Sequence, residues 1–289
     1  MIEALNHYRN RQFEDASRKS AEILCDNKAS FIQKVRAKFY SAASLPPQEA
    51  ERRKNMHMDV LAEIDKLLET DISNNDRIEI LKVKSEAANN LGFVYLHGLN
   101  DPEQAIQYFE MAIELNKMNE INDQKGVAIS HTGLGDAYIK LNEPEKAEQM
   151  YKVNLEISEK SGDLQGICIM NSKLGGIKIE AAKKSDGDMC VNLCKEANKL
   201  YEKSLATAED QGNPVNICFA LSGMVEAIVA SDSYDKADYV FTKIEEIRKK
   251  VDLSKAPDFA RNSLKKSFDN LVTKSPERGD QVKVYCESL

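Results

Sequence analysis

The sequence predicts an all-α protein, a right-handed α-solenoid of antiparallel helix pairs, and three observations carry this prediction. The 289 residues include only 13 Gly and 7 Pro, and the stretches between them are rich in residues that lose little rotamer freedom in a helix. No run of alternating β-branched and aromatic residues is bounded by a hairpin turn, so strands are not expected. The third observation is a pattern that returns along the chain at a nearly constant spacing.

The recurring pattern is a Leu-Gly pair with a tyrosine three residues later, followed by an alanine and an aromatic residue four positions apart. Small residues let two antiparallel helices approach closely, and the large residues fill the groove between them. The leading positions 91, 134, 174 and 224 are 43, 40 and 50 residues apart. Two copies are complete, Leu91-Gly92-x-x-Tyr95 with Ala105-x-x-x-Phe109 and Leu134-Gly135-x-x-Tyr138 with Ala147-x-x-x-Tyr151. The pattern returns more weakly as Leu174-Gly175 with Ala197-x-x-x-Tyr201 and as Met224-Val225 with Ala237-x-x-x-Phe241.

Residues that favour helix starts and helix ends are placed as helix-turn-helix units require. Proline is tolerated in the first turn of a helix, Asp and Asn favour the N-cap, and glycine favours the position after a helix end. These rules predict helix starts, caps and ends at Pro102, Pro144, Pro214, Asp101, Asn213, Gly162 and Gly212.

The pattern resembles the tetratricopeptide repeat (TPR) superfamily, and it covers residues 76–250. The standard repeat of that family is about 34 residues, so the longer spacing is similar to its branch with repeats of about 40 residues. That branch includes spindle-orientation and synaptic clustering adaptors, kinesin light chains and bacterial peptide-sensing regulators. The resemblance implies a superhelix whose concave groove binds peptides or partner helices.

Four regions are expected along the chain. Phe13 to Ala16 resembles the opening of a second helix, and residues 31–44 and 48–69 are typical of a helix pair around Pro46-Pro47. A solenoid must also cover its last apolar face. The regions are degenerate helical repeats at 1–75, TPR-like repeats at 76–250, a capping helix at 251–273 and a flexible tail at 274–289. Ten residues are inserted around Lys183 to Asn192, and Ser185-Asp186-Gly187-Asp188 fits a loop tip that joins two lengthened helices. The insertion is either tolerated or a docking edge.

Charge and apolar content limit the partners. The net charge of −7 argues against a nucleic-acid-binding surface. Residues 248–289 nevertheless carry ten Lys or Arg against six Asp or Glu, which is either a solvated helix face or a contact for nucleic acid or lipid. The start lacks the layout of a signal peptide, and the uncharged run 214–225 is shorter than the roughly 20 residues of a membrane helix. A cytoplasmic protein without membrane insertion is expected.

No residue pattern predicts catalysis, a cofactor or a metal site. The segment Gly133-Leu134-Gly135 lies inside a helical repeat and is not a phosphate-binding loop. The histidines, at 7, 57, 97 and 131, stand apart. The six cysteines are scattered, which is typical of reduced thiols. Cys190 and Cys194 are four residues apart, so a metal or redox site is the alternative there, but no second ligand pair accompanies them.

The resemblance implies a set of groove-lining residues on the first helix of each repeat. An amide side chain such as that of Asn90 can pair with a ligand peptide group, although Asn89 and Asn90 could instead face solvent or bond a neighbouring helix. Gly133 stands where a carboxylate clamp would repeat Asn90, so binding of chaperone tails is not expected. The lining residues are Asn89, Asn90, Phe93, His97, Thr132, Asp136, Lys140, Ser172, Lys173, Ser222 and Glu226.

These observations favour a protein-protein interaction adaptor or scaffold that binds a peptide segment or partner helix in the concave groove. A peptide-switched regulatory protein is a second reading, but residues 1–75 resemble helical repeats more than a DNA-binding module. A structural subunit of a larger assembly is the third reading. A protein or peptide is the expected partner in each case, and self-association is a further option.

Overall fold

The computed structural model of the protein describes residues 17–287, which contain helices and no strand. These residues form two compact units, 17–157 and 158–287. The boundary lies inside the segment 76–250 that the repeat pattern predicts as one array. No helix within the described range is long and apolar enough to cross a membrane.

The first unit is a series of helix pairs. Neighbouring helices pack α2 on α3, α4 on α5 and α5 on α6, and the helices at 31–43 and 50–68 lie where the sequence predicts a pair. The predicted helix opening at Phe13 to Ala16 lies outside the described residues. The helices are α1 (17–25), α2 (Phe31–Ala43), α3 (Ala50–Leu68), α4 (Asn74–Phe93) with a π-helical extension (Val94–Leu99), α5 (Pro102–Lys117), α6 (Gln124–Lys140) and α7 (Pro144–Ser161), whose last turn crosses the boundary.

The second unit continues the same arrangement around one apolar core. Helix α9 packs between α8 and α10, and α12 packs against α10. The ten extra residues mainly lengthen α9, and residues 183–186 form the short connection before it. The helices are α8 (Leu164–Ala182), α9 (Gly187–Asp210), α10 (Pro214–Ala230), α11 (Ala237–Arg248), α12 (Asp258–Lys274) and α13 (Gly279–Glu287).

The helices start and end at the proline, capping and glycine residues named above. Helices α5, α7 and α10 each begin at the expected proline. The Asp101 side chain accepts a hydrogen bond from the Gln104 amide at 3.0 Å, and the Asn213 side chain accepts from Val215 and Asn216. Gly162 and Gly212 adopt φ of 70° and 60°, the left-handed conformation that glycine adopts without a Cβ penalty.

Glycine and aromatic side chains interlock in both units. A Cβ atom added to Gly92 would lie 2.5 Å from the Phe109 ring, and one added to Gly133 would lie 2.3 Å from it. Phe109 therefore lies between glycines of two successive first helices. Tyr201 lies between Gly175 and Gly223 in the same way, with corresponding distances of 2.9 and 2.2 Å. The helices approach closely because no side chain stands at these positions. The repeat pattern predicts this for Gly92 and Gly175, but it does not include Gly133 or Gly223.

The prediction of a flexible tail is wrong for residues 276–287. Pro276–Arg278 form a 3₁₀ turn that leads into α13, so the proline and glycine of this segment start a helix. Val282 and Tyr285, three residues apart on one helix face, are buried. The Tyr285 ring stacks on Phe241 with centroids 4.8 Å apart. Helix α13 therefore covers the apolar face that the sequence assigns to α12 alone.

Candidate binding cavity

Several predicted lining residues of the first unit hold helices together. Asn89 is only 9% exposed, and its side-chain oxygen accepts a hydrogen bond from Ser130 Oγ at 2.6 Å. Thr132 Oγ1 accepts from Asn154 Nδ2 at 2.6 Å, and Asp136 accepts from the Tyr151 hydroxyl at 2.5 Å. These polar side chains are paired across helices, as buried polar groups generally are. Of the alternatives that the sequence leaves open for Asn89, the structure favours a hydrogen bond to the neighbouring helix.

Lys140 contacts the end of the π-helical extension. Its Nζ donates to the Leu96 carbonyl at 2.5 Å and to the Asn100 side chain at 2.8 Å. The last carbonyls of a helix lack partners within it, so the lysine supplies a donor there. The sequence pattern contains no signal for the π-helix. It therefore predicts neither the extension nor its contact with Lys140.

Asn90, Phe93 and His97 lie on successive turns at the end of α4 and in its extension. Asn90 is partly exposed, and its Nδ2 donates to the Glu86 carbonyl of its own helix at 3.0 Å. Phe93 stacks against His97, with ring centroids 6.0 Å apart, and packs edge-on against the buried Phe109. These three residues form a small surface patch in which Phe93 is anchored to the core.

The four predicted residues of the second unit come together in one cavity of about 470 Å³. Helices α8, α10 and α12 supply its walls, and α9 supplies one aromatic ring. We call this space the binding cavity. It is lined by Ile169, Ser172, Lys173, Tyr201, Asn216, Phe219, Ser222, Gly223, Glu226 and Ser263.

Helical periodicity places the α10 side of the cavity. Asn216, Phe219, Gly223 and Glu226 follow one another at intervals of three, four and three residues, so they share one helix face. This spacing could have identified Asn216 and Phe219 from the sequence, but the transfer of family positions missed them. Tyr201 belongs to a second helix, and it reaches the cavity because Gly223 leaves room for its ring.

Serine hydroxyls form much of the polar lining, and they bond one another. Ser222 is 2.7 Å from Ser267 Oγ and 3.1 Å from Ser263 Oγ. Ser172 is 2.8 Å from Ser204, which donates to the Cys168 carbonyl at 3.0 Å. Hydroxyl groups both donate and accept, so these contacts hold α8 to α9 and α10 to α12 while keeping polar atoms at the cavity wall.

Two polar groups of the cavity have no hydrogen-bond partner in the described part of the chain. Asn216 is 9% exposed, and its Nδ2 is buried and unpaired within residues 17–287. The Tyr201 ring is buried, and burial together with the Glu226 and Glu180 carboxylates raises the pKa of its hydroxyl. The phenol therefore stays protonated at neutral pH and can both donate and accept. An unpaired buried polar atom is costly, so Asn216 Nδ2 favours a ligand that accepts a hydrogen bond from it.

Glu226 is the only charged residue of α10 and lines the binding cavity. Its side chain is 39% exposed. The Lys183 ammonium is 3.8 Å from one carboxylate oxygen, while the same ammonium is 2.7 Å from Glu180. Ser267 Oγ lies 3.5 Å from the other oxygen. Both contacts are long for hydrogen bonds, so the carboxylate retains acceptor capacity.

The two cysteines of α9, Cys190 and Cys194, pack against neighbouring residues. Cys190 Sγ donates to the Ala230 carbonyl at 3.2 Å. Burial, reinforced by Cys190, raises the pKa of Cys194 to about 11. A protonated thiol is a poor metal ligand and nucleophile. Between residues 17 and 287, no group of three His, Cys, Asp or Glu side chains is placed to hold a metal ion.

Residues 84–160 match the family model of the tetratricopeptide repeat. The likeness to tetratricopeptide repeats therefore covers residues 84–160. The matched segment contains the best copies of the Leu-Gly pattern. The residues that line the binding cavity lie C-terminal to it. Tetratricopeptide repeats generally mediate protein-protein interaction.

The fold is also similar to that in the crystal structure of BtubC (BKLC) from P. vanneervenii, with a TM-score of 0.62. The two sequences are 16% identical, and the alignment covers 83% of this chain and 91% of that chain. Comparison with curated proteins finds no significant sequence match. The structural likeness confirms the predicted fold class, an all-α solenoid of tetratricopeptide-repeat type.

Proposed function

We propose that this protein is an interaction adaptor that binds an extended segment of a partner protein in the binding cavity of its second unit. The carrying observation is that a cavity of about 470 Å³ combines apolar walls with the Asn216 side chain, whose buried Nδ2 lacks a partner among residues 17–287. Ligand sites commonly have volumes of about 300–1,000 Å³, apolar walls and a few polar groups.

The lining suits a peptide in particular. Ile169 and Phe219 offer apolar surface, and Phe219 is 37% exposed. The Asn216 amide can pair with a peptide group without reading the ligand side chain. A main chain lying along α10 would meet the Asn216 amide, the Phe219 ring and the Ser222 hydroxyl in turn. This arrangement supports a site for a short extended segment.

Replacing Phe219 with alanine should weaken peptide binding by about tenfold, since it removes part of an apolar wall. The measurement begins with selection of random heptapeptides on the full chain. A selected peptide is then synthesised, and its dissociation constant is measured with the wild type and with Phe219→Ala. Thermal melting of both proteins checks that the fold is retained.

Met189→Ala is the matched control. Met189 is a large apolar residue of the same unit, is 64% exposed and does not line the binding cavity. Its replacement should leave the affinity unchanged. Loss of binding in Met189→Ala with full binding in Phe219→Ala would place the interface outside the cavity and contradict the proposal.

A further inference from the structure

We infer that the binding cavity selects a basic side chain, an arginine or lysine that pairs with Glu226, next to an apolar side chain that packs on Phe219. This inference rests on the proposed function and adds the chemistry of the ligand. It follows from the placement of charge and apolar surface along one face of α10.

The Glu226 carboxylate is the strongest unmet acceptor of the binding cavity. It stands on a helix without any other charged residue. The Lys183 ammonium is 3.8 Å from Glu226 but only 2.7 Å from Glu180. A carboxylate has about four lone-pair positions. A guanidinium carries five N–H donors in a planar fork that matches a carboxylate, so an incoming arginine would pair with oxygens that the protein leaves weakly bonded.

The surroundings of Tyr201 also favour a cation. Its hydroxyl makes no hydrogen bond to any described residue, and the charges that act on it are those of Glu226 and Glu180. The protonated phenol offers an acceptor oxygen beside the carboxylate. Lys173 also lines the binding cavity, and it opposes a cationic ligand as a like charge. Its replacement should therefore act in the opposite direction to replacement of Glu226.

The separation of the two anchors sets the spacing in the ligand. Phe219 and Glu226 are seven residues apart on α10, which corresponds to about 10 Å along the helix axis. Side chains two residues apart on the same side of an extended segment are about 7 Å apart, and the long stem of arginine covers the remainder. The ligand should therefore have an apolar residue and a basic residue with one residue between them.

Heptapeptide selection on the full chain tests this inference. The selected peptides should be enriched in arginine or lysine two positions from leucine, isoleucine or an aromatic residue. A synthetic selected peptide should bind Glu226→Gln about tenfold more weakly than the wild type. A version of the peptide with glutamine in place of its basic residue should bind both proteins equally weakly. Lys173→Gln should bind the basic peptide more tightly.

Glu202→Gln is the matched control, because it removes the same charge from an exposed residue of α9 that does not line the binding cavity. It should bind the selected peptide as the wild type does. Enrichment of acidic peptides, or lost affinity in Lys173→Gln but not in Glu226→Gln, would overturn the inference and leave the proposed function standing. Failure to select any peptide that depends on Phe219 would overturn both.

Discussion

Replacing Gly135 with leucine is expected to lower the free energy of unfolding by about 3 kcal/mol, the upper part of the range for overpacked sites. A Cβ atom at this position would lie 2.2 Å from Cε1 of Tyr151, so the ring or the helix must move. The Tyr151 hydroxyl is bonded to Asp136, and displacement of the ring also disrupts that contact. The gain in helix propensity on replacing glycine offsets less than about 1 kcal/mol.

Urea unfolding of the wild type and Gly135→Leu measures this effect, and Gly176→Ala provides the control. Gly176 is also a helical glycine, but its added Cβ would meet only the Tyr201 hydroxyl oxygen, at 3.8 Å. This ordinary contact lets the helix gain about 0.5–1 kcal/mol from alanine. An unchanged unfolding midpoint in Gly135→Leu would mean that the close helix contact is absent.

Acidification from pH 7 to pH 4 is expected to remove about 3 kcal/mol of stability through His57 alone. The ring is fully buried, lies 5.6 Å from the Phe39 ring, and neither nitrogen has a partner in the described chain. Burial, assisted by the Arg53 charge, lowers the pKa of His57 to about 4. The folded state therefore holds the neutral ring.

The direction of this pH effect follows from the pKa of about 6.5 that histidine has in the unfolded chain. Above that value both states are neutral, and the stability contribution is complete. Between about pH 6.5 and pH 4 the unfolded chain binds a proton that the folded chain does not. Stability therefore decreases as the pH is lowered through this range. Burial also lowers the pKa of His131, which acts in the same direction.

Comparison with His57→Leu isolates this effect, because leucine keeps an apolar side chain of similar size and does not titrate. Urea unfolding of both proteins at several pH values should give curves that diverge below about pH 6.5, with the wild type losing more. Parallel curves would show that His57 is protonated in the folded state or reaches solvent.

Part of the binding cavity could be predicted from sequence and part could not. The transferred family positions named Ser172, Lys173, Ser222 and Glu226, which line one cavity. They missed Tyr201, whose hydroxyl arrives from a different helix. For Asn89 the sequence left two alternatives open, because its partner Ser130 lies 41 residues away. A repeat pattern specifies which helix face a residue occupies, whereas the neighbouring helix decides whether its polar atoms remain available.

The sequence by itself determined the helical class, the starts of α5, α7 and α10, and the contacts of Gly92, Gly135 and Gly175 with aromatic rings. Caps, proline positions and apolar periodicity act within a few residues of the chain, so their consequences can be read locally. Tertiary structure decided that residues 279–287 pack as a helix, that α4 ends in a π-helix, and that Glu226 and Asn216 keep unmet bonding capacity. These features depend on which side chains from distant helices reach one another, and such packing is settled only when the helices stack.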